Sequence, residues 1–491
     1  MASIAENQQT AAVASTVNPM NLVTASEDVI SSTLTVQGTV DRLNMSCQLN
    51  SGVHVMSSIK AIAEVPTGNG GGEKRQDIEL ALVIDKSGSM HGEKINSVRE
   101  TLLLLQKQMG GQDSVSLVTF DTQVKCVMPL TKLKGSLEKE RFKRCVEKIS
   151  SGSSTNLSGG LAEGIKQLKQ SKAKNAVRAV ILLTDGHANH GISDMDKLAR
   201  ITATDMAGTG ISLFTYGYGA NHNADALRKL ALSTDGGQYY FIEKVDDVGE
   251  AIGDCLGGIM SVVAQNIVLK ATACPGVKIT KLHEPTRKAK VIVPNSCYEI
   301  RFGDMYSEER RDTIFEVECD PAHRAQKGQA LVKFEIEYLD AVAEKTSTAS
   351  GKAIIDRVED AQLNPKLVPD VVDHVCRTRV AETMISANNL ADAGQLDQAK
   401  QQMNEVLNLC VKMKPMCMNK DLLDELISDI KEGLVAMTDR QAWRSVRSYA
   451  MKGKMMGHAK QRSCTSSATQ KTSYRTARKG SMSSKLSVKK W

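Results

Sequence analysis

The sequence predicts an α/β protein whose doubly wound, mostly parallel sheet is inserted in or beside a β-sandwich and followed by a small helical region. Over residues 77–263, short apolar segments alternate with segments of helical period, as expected for strands joined by right-handed crossovers. Residues 264–356 contain only short β-type segments at the spacing typical of a sandwich. Residues 357–440 return to helical period, which indicates a separate helical region.

The strands predicted for the sheet are short apolar runs, and the most continuous are rich in branched residues, which indicates burial on both faces. They are expected at Leu80–Ile84, Val115–Phe120, Val124–Leu130, Val177–Thr184, Ile211–Tyr216 and Gln238–Ile242. Apolar residues at helical spacing predict the helices that connect and cover these strands. The helices are expected at Lys94–Met109, Leu137–Ile149, Leu157–Leu168, Ala224–Leu232 and Asp247–Val263.

The strands of the predicted sandwich come from both sides of the α/β region. Residues 29–76 contain short β-branched segments, such as Ser32–Val36 and Ala63–Val65, and we expect them to complete the sandwich of residues 264–356. A Gly-rich joint at residues 67–72 then leads into the α/β region. Residues 1–28 are polar and lack any period, so the sequence predicts disorder there.

Three helices are predicted in residues 357–440. Their apolar positions run from Val371 to Met384, from Leu396 to Leu407 and from Leu422 to Leu434. Gly394 and the Lys414-Pro415 pair separate them, which predicts a small helical hairpin region.

The composition argues against several classes of protein. Only 4% of the residues are aromatic, which does not favour a surface for stacking bases or sugars, and no run of about 18 uncharged apolar residues could span a membrane. Met1–Thr16 lacks the basic and apolar regions of a signal peptide. The 11 cysteines are scattered singly, and Cys410 and Cys417 lack the further ligands that zinc requires. We therefore expect a cytoplasmic location.

The charge of the chain is unevenly distributed. Residues 441–491 contain 13 Lys or Arg and no Asp or Glu, whereas residues 1–440 contain 50 basic and 56 acidic residues. One interpretation of this Ser/Lys/Arg-rich tail is a solvated, disordered extension. The other is a segment that binds an acidic polymer, such as the glutamate-rich surface of tubulin. Nucleic acid ranks last, because the sequence contains no nucleic-acid-binding motif.

The strongest functional signal lies where the predicted strand Leu80–Ile84 ends in Asp-x-Ser-x-Ser. Alone, this pattern equally fits a turn whose hydroxyls cap a helix. However, the strand Val177–Thr184 also ends in a carboxylate, and a Ser/Thr-rich loop precedes the predicted helix Leu157–Leu168. Open α/β sheets bind ligands at the carboxyl ends of their strands, so we expect these loops to converge. The carboxylate and hydroxyl side chains that these loops carry include Asp85, Ser87, Ser89, Thr155 and Asp185.

Carboxylate and hydroxyl oxygens are hard ligands. A small number of them, completed by water, suits Mg²⁺ or Mn²⁺ better than Zn²⁺, which prefers nitrogen and sulfur, or Ca²⁺, which needs more oxygens. His187 and His190 follow Asp185, but no nucleophile with an orienting base accompanies them. We interpret both as loop histidines and expect no enzymatic activity.

The three loops resemble those of a von Willebrand factor type A domain, a Rossmann-like fold, and the resemblance covers roughly residues 77–263. In that family the loops form the metal-ion-dependent adhesion site. The resemblance implies that Asp85, Ser87, Ser89, Thr155 and Asp185 are the candidate ligands of a metal whose open coordination position accepts an acidic side chain of a partner. Ala251–Ala264 and Gly303–Asp312 are similar to plant and protist proteins that join this domain to a β and helical region named Vwaint.

The plant members of that group act as ubiquitin ligases through an N-terminal RING finger. Residues 1–76 of this chain contain one cysteine, Cys47, so no RING finger can form there. The sequence thus predicts a metal-dependent adaptor that binds an acidic residue of a partner protein. Two alternatives stay open: a structural protein of the cytoskeleton or cilium that binds microtubules through residues 441–491, and a ubiquitin-ligation factor without its own RING finger.

Overall fold

The computed structural model describes residues 33–487 except for nine internal gaps. The gaps are residues 63–74, 174–175, 186–187, 220–221, 288, 361–362, 365, 444–445 and 464–472. The disorder predicted for residues 1–28, the joint at 67–72, the strand segment Ala63–Val65 and the loop histidine His187 therefore lie outside the described residues.

A six-stranded sheet in the order β6-β5-β4-β7-β8-β9 forms the centre of the α/β region. Its strands are β4 (Ile78–Asp85), β5 (Ser114–Phe120), β6 (Val124–Lys132), β7 (Val177–Thr184), β8 (Ile211–Tyr218) and β9 (Gln238–Ile242). All neighbouring pairs are parallel except β5 and β6, which are antiparallel. Every residue of the central strand β4 is buried, as expected for a strand covered on both faces.

Helices cover both faces of this sheet, which makes it doubly wound. They are α1 (Glu93–Gln108), α2 (Ser136–Glu147), α3 (Leu157–Lys169), α4 (Met195–Met206), α5 (Ala224–Ala231) and α6 (Val248–Ile259). Helices α1, α2 and α6 share one apolar core with alternate strand residues such as Leu82. Helices α3, α4 and α5 share the other core with residues such as Val83, which points to the opposite face.

Helix α4 was absent from the sequence prediction. Its buried stripe consists of Leu198, Thr202 and Met206, at i, i+4 and i+8. The central member of this stripe is a threonine, and the nearby apolar Ile201 is 45% exposed. The apolar pattern along the sequence therefore does not follow the buried face, which explains why the helix could not be recognised from periodicity.

Two further sheets build the sandwich. One has the order β1-β3-β14-β11 and the other the order β12-β13-β10-β15-β16-β2. The strands before the α/β region are β1 (Leu34–Val40), β2 (Asn44–Ser46) and β3 (Ser51–Ala61). Those after it are β10 (Val262–Ala273), β11 (Val277–His283), β12 (Ala289–Val293), β13 (Cys297–Tyr306), β14 (Arg310–Cys319), β15 (Gln326–Asp340) and β16 (Lys345–Val358).

Pairing between early and late strands joins the two halves of the sandwich. Strand β3 pairs antiparallel with β14, and β2 pairs parallel with the end of β16. Side chains of both sheets, such as Val55 and Phe334, contribute to one apolar core. The α/β region is thus an insertion in the chain between β3 and β10, and its ends are held close by the sandwich. The observed architecture is the α/β fold class that the sequence predicted.

The helical region is larger than the sequence indicated. It contains α7 (Pro369–Asp392), α8 (Leu396–Met413), α9 (Lys420–Ala436), the short α10 (Arg440–Trp443) and α11 (Val446–Lys460). The three helices predicted from periodicity correspond to α7, α8 and α9. Helix α11 adds Met451 and Met455 to their shared core, so this region continues beyond residue 440.

The basic tail is not a solvated extension over its described part. Residues 446–460 form α11, and residues 477–486 form α12. Its basic side chains bind acidic residues from elsewhere in the chain: Lys452 binds Asp225, Arg462 binds Glu309, and Lys479 binds Asp254. Of the two interpretations of the tail, the solvated extension is wrong for these residues, because the acidic partners of their charges lie in distant segments.

None of the helices in the described part of the chain is long and apolar enough to cross a membrane.

Candidate metal centre

Asp85 is the last residue of β4, and its carboxylate is fixed at the carboxyl edge of the α/β sheet. The side chain is fully buried. The backbone N–H of Ser87 donates to Asp85 Oδ1 at 2.8 Å, and the Thr184 hydroxyl at the end of the neighbouring strand donates to Asp85 Oδ2 at 2.5 Å. Both oxygens therefore have a defined position. The two donors, a backbone N–H and a hydroxyl, are uncharged.

The two serines of the first loop extend this arrangement toward solvent. Ser87 is buried and Ser89 is exposed. Their hydroxyl oxygens lie 3.1 Å apart, and the Ser89 hydroxyl donates to Asp185 Oδ1 at 2.7 Å. Hydrogen bonds thus connect Ser87, Ser89 and Asp185, and Asp85 joins them through the backbone of Ser87.

The loop that carries Thr155 is held against the first loop by backbone hydrogen bonds. The N–H of Gly152 donates to the Lys86 carbonyl at 2.5 Å, and the N–H of Gly88 donates to the Ser153 carbonyl at 3.0 Å. Thr155 itself is buried, with 4% of its surface exposed. These bonds make the two loops one unit, so the position of Thr155 is coupled to that of the serines.

The segment after β7 is hydrogen-bonded to the loop that carries Thr155. The Asn189 side chain accepts a hydrogen bond from the Thr155 N–H at 2.7 Å, and the Asn189 N–H donates to the Thr155 carbonyl at 3.2 Å. His190 is exposed, and its backbone N–H donates to the same carbonyl. All five predicted site residues therefore lie on three interlocked loops, with four of them in one hydrogen-bonded chain.

The electrostatics of the site favour a bound cation. Burial raises the pKa of the Asp85 carboxyl above its ordinary value, and hydrogen bonds from Thr184 and Ser87 offset part of that effect. The nearby Asp185 carboxylate raises the same pKa further. Because the Asp185 carboxylate disfavours the ionised form of Asp85, a cation held between the two would stabilise that form.

The donor atoms also fit a hard divalent ion. The five side chains offer carboxylate and hydroxyl oxygens only, which are the ligands preferred by Mg²⁺ and Mn²⁺. With two carboxylates, the charge of a divalent ion would be neutralised but not exceeded. The exposed side of Ser89 leaves access from solvent, so an ion held here could meet a further ligand.

Two lysines lie beside the site, and the sequence analysis assigned a role to neither. The Lys94 ammonium, from the first turn of α1, is in close contact with Asp185 Oδ2 and lies 3.1 Å from the Ser89 carbonyl. The Lys86 ammonium pairs with Asp121, which is not one of the five candidate ligands. Nor does the sequence indicate the roles of Thr184 and Asn189, whose contacts depend on tertiary structure.

Comparison with known proteins agrees with this geometry. Residues 79–253 match the family described as von Willebrand factor type A domain. These residues carry the doubly wound sheet and all five candidate ligands, and they form a von Willebrand factor type A domain. The match ends before the later sandwich strands, so the assignment of residues 264–356 to a Vwaint region stays a prediction.

Several curated proteins are similar to this chain. An uncharacterised protein of Synechocystis is 23% identical over 339 residues, which is 66% of this chain and 78% of that protein. Inter-alpha-trypsin inhibitor heavy chain H3 of Rattus norvegicus is 33% identical over 32% of this chain and 18% of its own length. The E3 ubiquitin-protein ligase WAV3 of Arabidopsis thaliana is 25% identical over 50% of this chain and 31% of its own length. This chain thus spans less than a third of the latter two relatives.

Two solved structures share the wider architecture. A von Willebrand factor type A protein from Catenulispora acidiphila superimposes with a TM-score of 0.65 at 17% identity, over 88% of this chain and 98% of that one. The ArnB paralogue VWA2 from Sulfolobus acidocaldarius gives a TM-score of 0.55 at 16% identity, over 87% and 99%. At these identities the likeness concerns the fold alone, and it includes most of the sandwich and helical regions as well as the type A domain.

Proposed function

We propose that this protein is a non-enzymatic adaptor whose type A domain binds an acidic side chain of a partner protein through Mg²⁺ or Mn²⁺. The observation that carries the proposal is the hydrogen-bonded chain of Asp85, Ser87, Ser89 and Asp185 at the carboxyl edge of the sheet. Type A domains generally mediate protein interactions, which supports the same class of function.

The residues that would hold the ion are Asp85, Ser87, Ser89, Thr155 and Asp185. Bound there, the ion would supply a Lewis-acidic position for a carboxylate of the partner. The chain supports this role in three ways. Thr184 fixes the Asp85 carboxylate, the loop contacts of Thr155 fix its backbone, and the exposed Ser89 leaves the site open on the solvent side.

A cytoplasmic site of action is part of the proposal. Each of the ten cysteines in the described part of the chain is a free thiol, and seven of them are buried. Unpaired thiols are typical of proteins that work in a reducing compartment.

The test compares partner capture by the immobilised protein in Mg²⁺ and in a chelator. Capture should require the metal, and Ser89→Ala and Asp85→Ala should lower it. Ser89 is exposed, so its loss should leave the fold intact even if Asp85→Ala does not. The matched control is Asp196→Ala, an exposed carboxylate in α4 that pairs with Lys229. Metal-independent capture that both site variants retain would contradict the proposal.

The alternative of microtubule binding through residues 441–491 has weaker support than the sequence suggested, because Lys452, Lys454, Arg462 and Lys479 are paired with acidic residues of this chain. The alternative of a role in ubiquitin ligation rests on the similarity to the WAV3 ligase, which covers half of this chain. Co-sedimentation with microtubules and ubiquitin transfer in the presence of a separate RING protein would test the two alternatives directly.

A further inference from the structure

Lys94 places a positive charge against one of the two carboxylates of the candidate metal centre. Its ammonium contacts Asp185 Oδ2 and the Ser89 carbonyl, so it bridges the third loop and the first. The Asp185 side chain is 1% exposed, whereas that of Lys94 is 33% exposed. The lysine therefore reaches from the solvent side of the site onto a buried acid.

We propose that Lys94 is a tethered counter-charge that weakens the binding of the divalent cation and strengthens the attraction of the bound cation for a partner's carboxylate. This inference rests on the proposed function. It adds a residue that lowers the affinity of the site for the ion and raises the affinity of the ion-loaded site for a carboxylate.

The net charge of the ion-loaded site depends on Lys94. With Asp85 and Asp185 ionised, a divalent ion in the site would leave no net charge for attracting an acidic side chain. Lys94 restores one positive charge to the assembly. At short range and with partial burial, that charge repels the ion and attracts an approaching carboxylate.

Both oxygens of the Asp185 carboxylate are already engaged by groups of this chain. The Ser89 hydroxyl occupies Asp185 Oδ1 at 2.7 Å, and Lys94 contacts Oδ2. Both oxygens of this carboxylate are thus engaged by groups of the chain, which favours an outer, water-mediated relation of Asp185 to the ion over direct ligation. A carboxylate held in this way neutralises less of the ion's charge.

The Lys94 ammonium has a third N–H group with which it could bind a partner. An ammonium group has three N–H donors, and the contacts with Asp185 and Ser89 use two of them. The side chain is also partly exposed to solvent. A carboxylate that meets the ion could therefore also accept a hydrogen bond from Lys94.

The experiment compares Lys94→Met with wild type in two separate titrations. Mn²⁺ binding is measured by electron paramagnetic resonance of the free ion, and acetate binding to the Mn²⁺-loaded protein is measured by water-proton relaxation. Lys94→Met should bind Mn²⁺ more tightly and acetate more weakly, each by on the order of tenfold. Lys94→Arg should behave like wild type, because it keeps the charge.

The matched control is Lys169→Met. Lys169 is also paired with a carboxylate, but that carboxylate is Asp205, and the lysine lies at the end of α3, outside the three loops of the site. Its loss should change either affinity by less than about threefold, because screening weakens the effect of a more distant charge.

The outcomes separate this inference from the proposed function. Unchanged Mn²⁺ and acetate affinities in Lys94→Met, with Mn²⁺ binding still lost in Asp85→Ala, would overturn the role of Lys94 and leave the metal centre standing. Weaker Mn²⁺ binding in Lys94→Met would also overturn it, because the lysine would then support the ion. A wild-type protein that binds no Mn²⁺ would overturn both proposals.

Discussion

The Asp254 carboxylate of α6 lies 2.7 Å from the Lys479 ammonium of α12, and both side chains are almost completely buried. The Ser463 hydroxyl donates to the same carboxylate, and the Arg475 guanidinium lies 3.3 Å from it. A segment near the carboxyl end of the chain thereby supplies the counter-charges of a buried acid on α6 of the α/β region. The described part of the basic tail consequently contributes to the packing of that region.

Loss of Lys479 should destabilise the protein. Removing one partner of a buried ion pair leaves the other charge poorly compensated, and we expect Lys479→Met to lower the free energy of unfolding by about 3 kcal/mol. Urea denaturation followed by circular dichroism measures the change. The control is Lys485→Met, an exposed lysine of the same helix, which should stay within about 0.5 kcal/mol of wild type. Equal effects of the two substitutions would show that the pair with Asp254 contributes nothing.

Three glycines of α6 allow α12 to approach its backbone. A Cβ atom added at Gly249 would lie 1.9 Å from the Leu486 carbonyl oxygen, and one at Gly253 would lie 2.6 Å from Ser483 Cα. At Gly257 it would lie 2.8 Å from Lys479 Cα. These contacts are with backbone atoms, which cannot rotate away. We therefore predict that Gly253→Leu displaces α12, while α6 retains its helical structure.

Hydrogen exchange of the backbone amides in residues 477–486 measures this displacement, and exchange should become much faster in Gly253→Leu. The control is Gly480→Ala on α12, where an added Cβ has no neighbour within 4 Å. Because alanine has the higher helix propensity, this variant should be as protected as wild type or slightly more so. Unchanged protection of α12 in Gly253→Leu would contradict the proposed packing.

Thr184 should be required for metal binding although it is not a candidate ligand. Its hydroxyl fixes Asp85 Oδ2 and lowers the pKa of that carboxyl, which burial otherwise raises. Thr184→Val keeps the shape of the side chain but removes the donor. We expect Mn²⁺ affinity to fall on the order of tenfold, as is usual when a group that orients a metal ligand is lost. The loss should not be smaller at pH 6 than at pH 8, because loss of the Thr184 donor raises the pKa of Asp85 further and a proton competes more strongly with the ion as the pH falls.

Isothermal titration with Mn²⁺ at both pH values checks this expectation. Thr202→Val is a suitable control. Thr202 is also a buried threonine, but it belongs to α4 and not to the strand ends and loops of the site. An affinity that does not depend on Thr184 at either pH would mean that Asp85 is positioned by other contacts.

The type A domain was predictable because its signals are local. Apolar runs such as Leu80–Ile84 identify buried strands, and the rule that ligands bind at the carboxyl edge of a parallel sheet brings Asp85 and Asp185 together without any knowledge of contacts. We also expected the strands before the α/β region to join the later sandwich, because isolated β segments need partners, but the particular pairing of β3 with β14 was not predicted. Metal ligation by the five residues stays a prediction.

The features that escaped prediction depend on tertiary partners. Lys479 and Arg462 look like solvated charges along the sequence, and only the fold brings Asp254 and Glu309 to them. Helix α4 was hidden because its buried face includes Thr202. Lys94 lies five residues after Ser89, a separation that says nothing about its contact with Asp185.

The Glu309 carboxylate makes the free energy of unfolding depend on pH in the acid range. Burial would raise the pKa of this carboxyl, but Arg311 and Arg462 hold it at about 2. Arg311 Nη2 lies 2.9 Å from each carboxylate oxygen, and Arg462 Nε lies 2.9 Å from Oε1. Because the folded-state pKa is below the unfolded value, this carboxylate stabilises the fold fully above about pH 4.5, and the contribution is lost as the pH falls toward 2.

The difference between wild type and Glu309→Gln isolates this contribution from that of other acids. Near pH 7 the variant should be less stable by on the order of 3 kcal/mol, which corresponds to the depression of the pKa. Below pH 4.5 the difference should shrink steadily, because Glu309 of unfolded wild type then takes up a proton while the folded carboxyl stays ionised, and this favours the unfolded state. Urea denaturation at intervals between pH 7 and pH 3 measures it. A difference that stays constant over this range would show that Arg311 and Arg462 do not depress the pKa of Glu309, and that the loss in the variant arises from packing or hydrogen bonding alone.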